Sequence, residues 1–376
     1  MNQINNDDDV ILTTENDVDE GNGGLYPYDP TEADIDIRET PHSIFEMMRK
    51  YDDGRLIIEP DFQRKLVWKP EQKSRFIESV ILNYPLPPFY VNETREGKYI
   101  IVDGLQRTTA LHEFVNNEFK LTGLEALSHL NGYRFSELKE ISGAYQTKIE
   151  DKKIILYVIR PSVPMEVVYD LFNRINTGGT KLERQEVRNC IFLGKATKLL
   201  KELSESEKFK NAIDQGISEK RMKDREAILR YLSFKLFDYN ENYQGDMNDF
   251  VERAMRKINK MFDEEILELQ KDFERVMQFT YDFFGNRNFR IPFPEKNTRG
   301  RVNIAVLESV GYFFSKQNDE FLLKNKQAII NNFDQLLKNS NYLDAVQQST
   351  GDKKRVVTRF NLAKKILGDV GHVDRN

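Results

Sequence analysis

The segment IIVDGLQRTTAL, residues 100–111, constrains the fold more than any other part of this 376-residue chain. Its first three residues are apolar, which is typical of the end of a buried strand. Residues 108–115 place Ala110, Leu111, Phe114 and Val115 on one face of a helix. The segment therefore predicts a strand, a glycine turn and a helix in direct succession, as in a domain that mixes strands with helices.

Arg107 lies in the first turn of this predicted helix, where the helix dipole disfavours a cation. A negative partner is therefore expected beside it. That partner is either an internal carboxylate or the phosphate of a bound ligand, and the sequence leaves both open. Asp103 and Gln106 have the spacing of a capping box, which explains these two residues but leaves Arg107 unexplained.

A strand–glycine–helix junction presents backbone N–H groups that have no partner inside the helix, and such groups favour an anion. Gly104 supplies the turn residue. Arg107 and the hydroxyls of Thr108 and Thr109 would add a positive charge and hydrogen-bond donors. This combination suits a phosphate group.

The charges of the chain are distributed unevenly. Residues 1–37 contain eleven acidic residues and no lysine or arginine, so the rest of the chain carries 56 basic and 50 acidic residues. We interpret the acidic stretch as a disordered leader. The alternative is a tail that masks a basic surface from nucleic acid, but a net charge of +6 on the remaining body does not by itself indicate nucleic-acid binding.

The hydrophobic pattern predicts an α+β fold class in three regions: the leader at 1–37, an α+β domain over 38–190 and an all-α helical domain over 191–376. In the second region, helices are predicted over 40–50, 70–82 and 164–176. Strands are predicted there over 56–58, 88–92, 98–102 and 153–160. In the third region, helical spacing covers 218–237, 246–285, 301–314 and 318–337.

The composition excludes several functional classes. Cys190 is the only cysteine, which rules out an intramolecular disulfide framework and favours the reducing cytoplasm. The four histidines lack the spacing of zinc ligands. No apolar run is long enough to span a bilayer, and the acidic start does not resemble a signal peptide. A P-loop is absent, so a nucleotide would need another binding device.

PDFQRKLVW, residues 60–68, is a second segment that concentrates polar residues at a predicted junction. It offers Gln63 and Arg64 just after a strand. Arg64 would pair with a phosphate or with Asp103. The only tryptophan, Trp68, is interpreted as a packing residue.

FNRINTGGTKLERQE, residues 172–186, is the third such segment. Its glycine pair ends one helix, and residues 180–183 have the spacing of a capping box that opens the next. The glycines would let the backbone approach a ligand, or would simply connect two helices. The polar candidates here are Asn173, Asn176, Thr177 and Glu186.

Together these segments resemble the N-terminal domain family of the GmrSD restriction enzymes, a branch of the ParB/sulfiredoxin-like group. The family's PxFQRxxVW, DGxQR and F..IN..G..L...E motifs stand here as PDFQRKLVW, VDGLQRTTAL and FNRINTGGTKLERQE. The segments QKSRFIESVILNYPLPP, RMKDREAILRYL and RVVTRFNLAKK are also similar to family segments, so the resemblance extends from residue 40 to residue 365. Leu105 replaces the first glutamine of the commoner DGQQR form, so no role is expected that needs a polar side chain there.

The resemblance implies a ParB/sulfiredoxin-like fold that binds a nucleoside triphosphate, with Mg²⁺, at the strand–helix junction. In relatives the motif is tied to NTP hydrolysis that regulates or powers a nuclease. That nuclease is often a C-terminal His-Asn-His domain, which this chain lacks. We therefore expect an NTPase that acts in DNA restriction or phage defence with a separate nuclease or effector protein.

The leading hypothesis also assigns roles to individual residues. Backbone N–H groups at residues 104–106 would hold the phosphates together with Arg107 and Thr108. Arg64 would neutralise charge on the transferred phosphoryl group, and Asp103 would orient a water molecule or Mg²⁺. Asp103, Arg107 and Arg64 are thus the catalytic candidates. The nucleotide-binding candidates are Gln63, Gly104, Gln106, Thr108, Thr109, Asn173, Asn176, Thr177 and Glu186.

Two alternatives remain: a nucleotide switch that binds without hydrolysis, and a non-enzymatic module that binds DNA or a protein through its helical half. The second depends on basic residues on or beside one predicted helix. Asp224 and Glu226 interrupt them, which is typical of a solvated charged face. The sequence leaves homo-oligomerisation open. The basic residues are Lys220, Arg221, Lys223, Arg225 and Arg230.

Overall fold

The computed structural model describes residues 35–58, 68–175, 183–292 and 300–370. The chain forms two compact units, one within residues 25–191 and one within residues 192–376. The first holds a five-stranded sheet with helices, and the second is helical in its described parts. The predicted α+β fold class is therefore confirmed. None of the helices in these ranges has the length and apolar character needed to cross a membrane.

The described residues of the first unit contain five strands: β1 (Ile37–Ser43), β2 (Leu56–Ile57), β3 (Phe89–Glu93), β4 (Tyr99–Asp103) and β5 (Lys153–Ile159). The α-helices in the same residues are α1 (Ile44–Asp52), α2 (Pro70–Ile81), α3 (Leu105–Val115), α4 (Leu138–Ile141), α5 (Gly143–Glu150), α6 (Met165–Ile175) and α7 (Arg184–Ile191).

The strands lie in the order β1-β5-β3-β4-β2. The β1–β5 and β3–β4 pairs are antiparallel, and the β3–β5 and β2–β4 pairs are parallel. Strands β3 and β4 form the predicted hairpin. Since β4 runs straight into α3, the DGLQR motif lies at one end of this sheet.

Alternate residues of the central strands fill the main core of this unit. Phe89 and Leu156, for example, are fully buried in one cluster with Ile77 of α2 and Phe114 of α3. Trp68 packs against the same cluster and meets Phe76 edge to face, with ring centroids 5.6 Å apart. The predicted packing role of this tryptophan is confirmed.

The predicted helix over 40–50 is partly wrong, because residues 37–43 form β1 and the helix begins only at Ile44. The sequence of β1, IRETPHS, has few apolar residues and contains Pro41. Such a strand is stable only at the edge of a sheet, where it needs one partner. Its pairing with β5 therefore overrides its weak local preference.

The second unit contains α8 (Lys195–Glu205), α9 (Glu207–Ile213), α10 (Lys223–Leu236), α11 (Met247–Ile258), α12 (Asp263–Phe284), α13 (Ile304–Ser315), α14 (Asp319–Lys324), α15 (Lys326–Leu336), α16 (Ser340–Gln347) and α17 (Lys353–Leu367). All four predicted helical segments are confirmed, although two of them each form two helices.

One of the predicted basic residues of the helical region lies in the core of this unit. Arg230 is 4% exposed, and its Nε donates to Glu308 Oε1 at 2.6 Å. The Nη2 atom of Arg359 donates to the other oxygen of Glu308 at the same distance. The prediction that Arg230 belongs to a solvent-exposed basic face is therefore wrong. Its partner Glu308, 78 residues away in sequence, forms a buried ion pair with it.

Candidate functional site

The candidate site is the junction at which β4 ends and α3 begins. Gly104 caps α3 with a φ of 99°, in the left-handed region. A Cβ atom at this position would lie 2.4 Å from Cδ1 of Phe89. Glycine is thus needed here for both its backbone conformation and its lack of a side chain.

The predicted capping box at this junction is wrong. No described side chain caps α3, since the N-cap residue is Gly104 and Asp103 still belongs to the strand. Gln106 does not reach back either: its Oε1 accepts a hydrogen bond from the backbone N–H of Trp68 at 3.1 Å. The first turn of α3 therefore keeps its backbone N–H groups without a side-chain cap, which is the arrangement that favours an anion.

Arg107 has an internal carboxylate partner, the first of the two explanations left open by the sequence. Its Nη2 donates to Asp103 Oδ2 at 2.9 Å and to the carbonyl oxygen of Pro88 at 3.1 Å, while Nη1 donates to the carbonyl oxygen of Pro87. The guanidinium also lies 4.4 Å from the centre of the Phe89 ring. Among the described residues these three bonds occupy three of its five N–H donors, and two are left for a ligand.

Burial lowers the pKa of Arg107, and the neighbouring Asp103 carboxylate opposes that shift. The side chain of Arg107 is 11% exposed and that of Asp103 is 38% exposed. An arginine stays protonated under these conditions. The junction therefore holds a fixed cation whose charge is balanced by one partly accessible carboxylate.

The two threonines that follow are arranged differently from each other. The Thr108 hydroxyl donates to the Gly104 carbonyl oxygen at 3.0 Å, and the residue is fully buried. The Thr109 hydroxyl is also buried, and within the described parts of the chain it has no hydrogen-bond partner. The Thr108 hydroxyl thus stabilises the turn at Gly104. The Thr109 hydroxyl, one helical turn after Leu105, makes no hydrogen bond to the described residues.

Glu39, Tyr157, Tyr90 and Asp103 form a row across β1, β5, β3 and β4, since each is the register partner of the next. The β3–β4 register shifts directly after the last pair, between Tyr90 and Val91. The Tyr90 and Tyr157 rings stack with centroids 5.2 Å apart and planes 27° apart. Tyr157 donates its hydroxyl to Glu39 Oε2 at 3.2 Å. Sequence reasoning missed the first three residues, because register depends on strand pairing and leaves no local signal.

The segment PDFQRKLVW approaches the junction at its last residue. Gln63 and Arg64 lie outside the described residues. The chain is described again from Trp68, whose N–H bonds to Gln106. The end of the first motif and the helix of the second are therefore joined directly.

The segment FNRINTGGTKLERQE, residues 172–186, continues into α7, which packs beside β4. The Glu186 carboxylate accepts a hydrogen bond from the Glu183 N–H at 2.9 Å. Glu186 is thus placed at the start of a helix that begins at Arg184. Asn176, Thr177, the predicted cap at residue 180 and the side chain of Asn173 lie outside the described residues.

Helix α7 is polar in sequence and still largely buried, a feature that sequence reasoning missed. Gln185 and Asn189 are fully buried, and both polar atoms of the Asn189 side chain lack a partner among the described residues. Buried amides are normally paired with protein or water. Gln185 uses its Oε1 to accept a hydrogen bond from Arg188 Nη1 at 3.3 Å, but its Nε2 also lacks a partner among the described residues. The Asn189 side chain and the Gln185 Nε2 are therefore available to a water molecule or a ligand.

The described residues contain no group of three or more His, Cys, Asp or Glu side chains that could hold a metal ion. A Mg²⁺ ion that arrives with a nucleotide needs fewer protein ligands, because it keeps water and phosphate oxygens in its coordination shell. Asp103 has a second carboxylate oxygen beside the one bound to Arg107. This oxygen is the one ligand that Asp103 could offer to such an ion.

A comparison with protein families gives a match in the first unit. Residues 44–193 match the family described as GmrSD restriction endonuclease, N-terminal domain. No curated protein matches the chain. The matched segment includes the β4–α3 junction and the whole of α7.

Proposed function

Since residues 44–193 form a GmrSD-type N-terminal domain, we propose that this chain binds a nucleoside triphosphate at the β4–α3 junction and hydrolyses it as part of DNA restriction. The observation that carries the proposal is the start of α3. Gly104 leaves the first-turn N–H groups without a side-chain cap, and Arg107 and Asp103 lie beside them. A helix start of this kind binds anions well.

The backbone N–H groups of Leu105 and Gln106 would hold phosphate oxygens. The two remaining donors of Arg107 would reach the same group, since its other three are held by Asp103, Pro87 and Pro88. This fixed guanidinium would stabilise charge that develops in phosphoryl transfer, because its position costs no reorganisation during the reaction.

Charge balance explains why Mg²⁺ would accompany the nucleotide. Asp103 and Arg107 cancel each other, so the described junction offers a triphosphate only the partial positive charge of the helix start. A bound Mg²⁺ would supply the missing positive charge, and the free oxygen of Asp103 would contact it directly or through water. Arg64 remains a second candidate cation for the same site.

The restriction role rests on the family alone, which is described as part of a restriction endonuclease. Nucleotide hydrolysis at the junction would then control or power DNA cleavage by a separate nuclease or effector protein. The proposal also includes contact with DNA and assembly with a second copy of the chain.

The test measures binding of ATP, GTP, CTP and UTP with Mg²⁺, and release of phosphate, with and without DNA. Arg107→Ala and the charge-conserving Arg107→Lys are compared with Arg75→Ala, which removes only an exposed ion pair with Glu125. Loss of binding or turnover in both Arg107 variants, with Arg75→Ala unchanged, is the expected result. Binding without turnover would make the protein a nucleotide switch, and unchanged affinity in Arg107→Ala would refute the role of this arginine.

A further inference from the structure

The row of Glu39, Tyr157, Tyr90 and Asp103 crosses the sheet and ends at the junction. Side chains of directly paired residues project from the same face of a regular sheet, which applies to Glu39, Tyr157 and Tyr90. The β3–β4 register shifts between Tyr90 and Val91, so Asp103 is placed next to Tyr90 by backbone pairing. The Tyr90–Tyr157 stack and the Tyr157–Glu39 hydrogen bond agree with a common face. Three strand spacings of about 4.8 Å separate the ends of the row, or about 14 Å in all.

The two tyrosines lie on the opposite side of the strands from the main core. Phe89 and Leu156, which precede them, and Val91 and Val158, which follow them, are buried in that core. Tyr90 and Tyr157 are only half-buried. Their rings therefore form a partly open aromatic surface beside Asp103.

We infer that the stacked pair Tyr90–Tyr157 receives the base of the nucleotide on the ring face that the stack leaves uncovered, an inference that rests on the proposed function. With the triphosphate at the start of α3, the base lies against the face of Tyr90 on the β4 side, and Tyr157 supports that ring from behind. Every nucleobase has a flat face that stacks on an aromatic ring.

Glu39 acts here as a positioning residue. It accepts the Tyr157 hydroxyl at 3.2 Å, and the pKa of Tyr157 is raised by the negative charge of Glu39 and by this hydrogen bond. The phenol therefore stays neutral and its ring is held in place next to Tyr90. A rigid pair of rings loses little freedom when a base binds.

The test compares a full nucleotide with inorganic tripolyphosphate, both with Mg²⁺, by calorimetry on the whole chain. Wild type is expected to bind the nucleotide more tightly than tripolyphosphate, because only the nucleotide carries a base. Tyr157→Leu and Tyr90→Leu should each weaken nucleotide binding about tenfold or more and leave tripolyphosphate binding unchanged. Tyr157→Phe keeps the ring and should retain most of the affinity.

Tyr84→Leu is the matched control, because Tyr84 is exposed and lies outside the row. Unchanged nucleotide affinity in both leucine variants, with tripolyphosphate still bound, would overturn the inference and leave the proposed function intact. Failure of wild type to bind either compound would overturn both. Loss of single-stranded DNA binding in the leucine variants, with nucleotide binding unaffected, would assign the rings to DNA bases and also overturn the inference.

Discussion

The Arg107 guanidinium donates to the Asp103 carboxylate at 2.9 Å across the boundary between a strand and a helix. This contact explains why an arginine is tolerated in the first turn of α3, where the helix dipole is positive. It also fixes the arginine next to backbone N–H groups that no described side chain caps. The junction is thus organised before any ligand binds, which is what a phosphate site requires.

Gly104→Ala should lower the free energy of unfolding by about 2–4 kcal/mol, because alanine is strained at a φ of 99° and its Cβ would overlap the Phe89 ring. Gly97→Ala is the control: its φ is 75°, but no atom lies within 4 Å of the added Cβ. That variant should lose only about 1–2 kcal/mol. Chemical denaturation measures both, and equal losses would show that the contact with Phe89 has no effect.

Gln106→Leu should remove the acceptor for the Trp68 N–H and cost about 1 kcal/mol of stability. Trp68 is the only tryptophan, so its fluorescence emission should shift as its surroundings loosen. Gln146→Leu removes a hydrogen bond to the Phe135 carbonyl oxygen instead and should leave the emission unchanged. An unchanged emission spectrum in Gln106→Leu would mean that this hydrogen bond does not hold Trp68 in place.

Glu308→Gln should destabilise the helical unit by about 3 kcal/mol or more, because it leaves two buried arginines without their shared counterion. Glu274→Gln, which removes a half-buried partner of the exposed Lys208, should cost less than about 1 kcal/mol. Thermal unfolding monitored by circular dichroism distinguishes the two. Similar melting temperatures for both variants would refute the buried cluster.

His42 should make stability fall as the solution becomes acidic. Burial lowers the pKa of His42 below its ordinary value, and Lys50 lowers it further, so the unfolded chain takes up this proton more readily than the folded protein. The stabilising contribution is therefore complete above a pH of about 6.5 and is lost below it. The melting temperature should fall less steeply with decreasing pH for His42→Gln than for wild type. An equal pH dependence of the two melting temperatures would contradict this.

The local parts of the fold were predictable from sequence, whereas the contacts between distant residues were not. The apolar run before Gly104 and the helical spacing after it predict the junction directly. The spacing of Asp103 and Gln106 does not reveal that Gly104 is the N-cap, so the predicted capping box is wrong. The predicted helix over 40–50 includes the last four residues of the edge strand Ile37–Ser43, because the pairing with β5 decides the structure of that strand.

The tyrosine row and the burial of Arg230 illustrate the same limit. Tyr90 and Tyr157 meet only because β3 and β5 are parallel neighbours in one register. Arg230 is buried because Glu308 lies beside it after folding. In each case the relevant partner is more than 60 residues away in sequence. No periodicity or motif within a single segment carries that information.

The most direct test of the central claim is hydrogen–deuterium exchange of the backbone amides in residues 100–111 with and without a nucleoside triphosphate and Mg²⁺. We expect slower exchange at Leu105, Gln106 and Arg107 when nucleotide is present. The start of the helix Met247–Ile258 is the internal control. The side chain of Asp246 already caps that helix, so exchange there should not change when nucleotide is added. Nucleotide binding that leaves exchange at the β4–α3 junction unchanged would contradict the account.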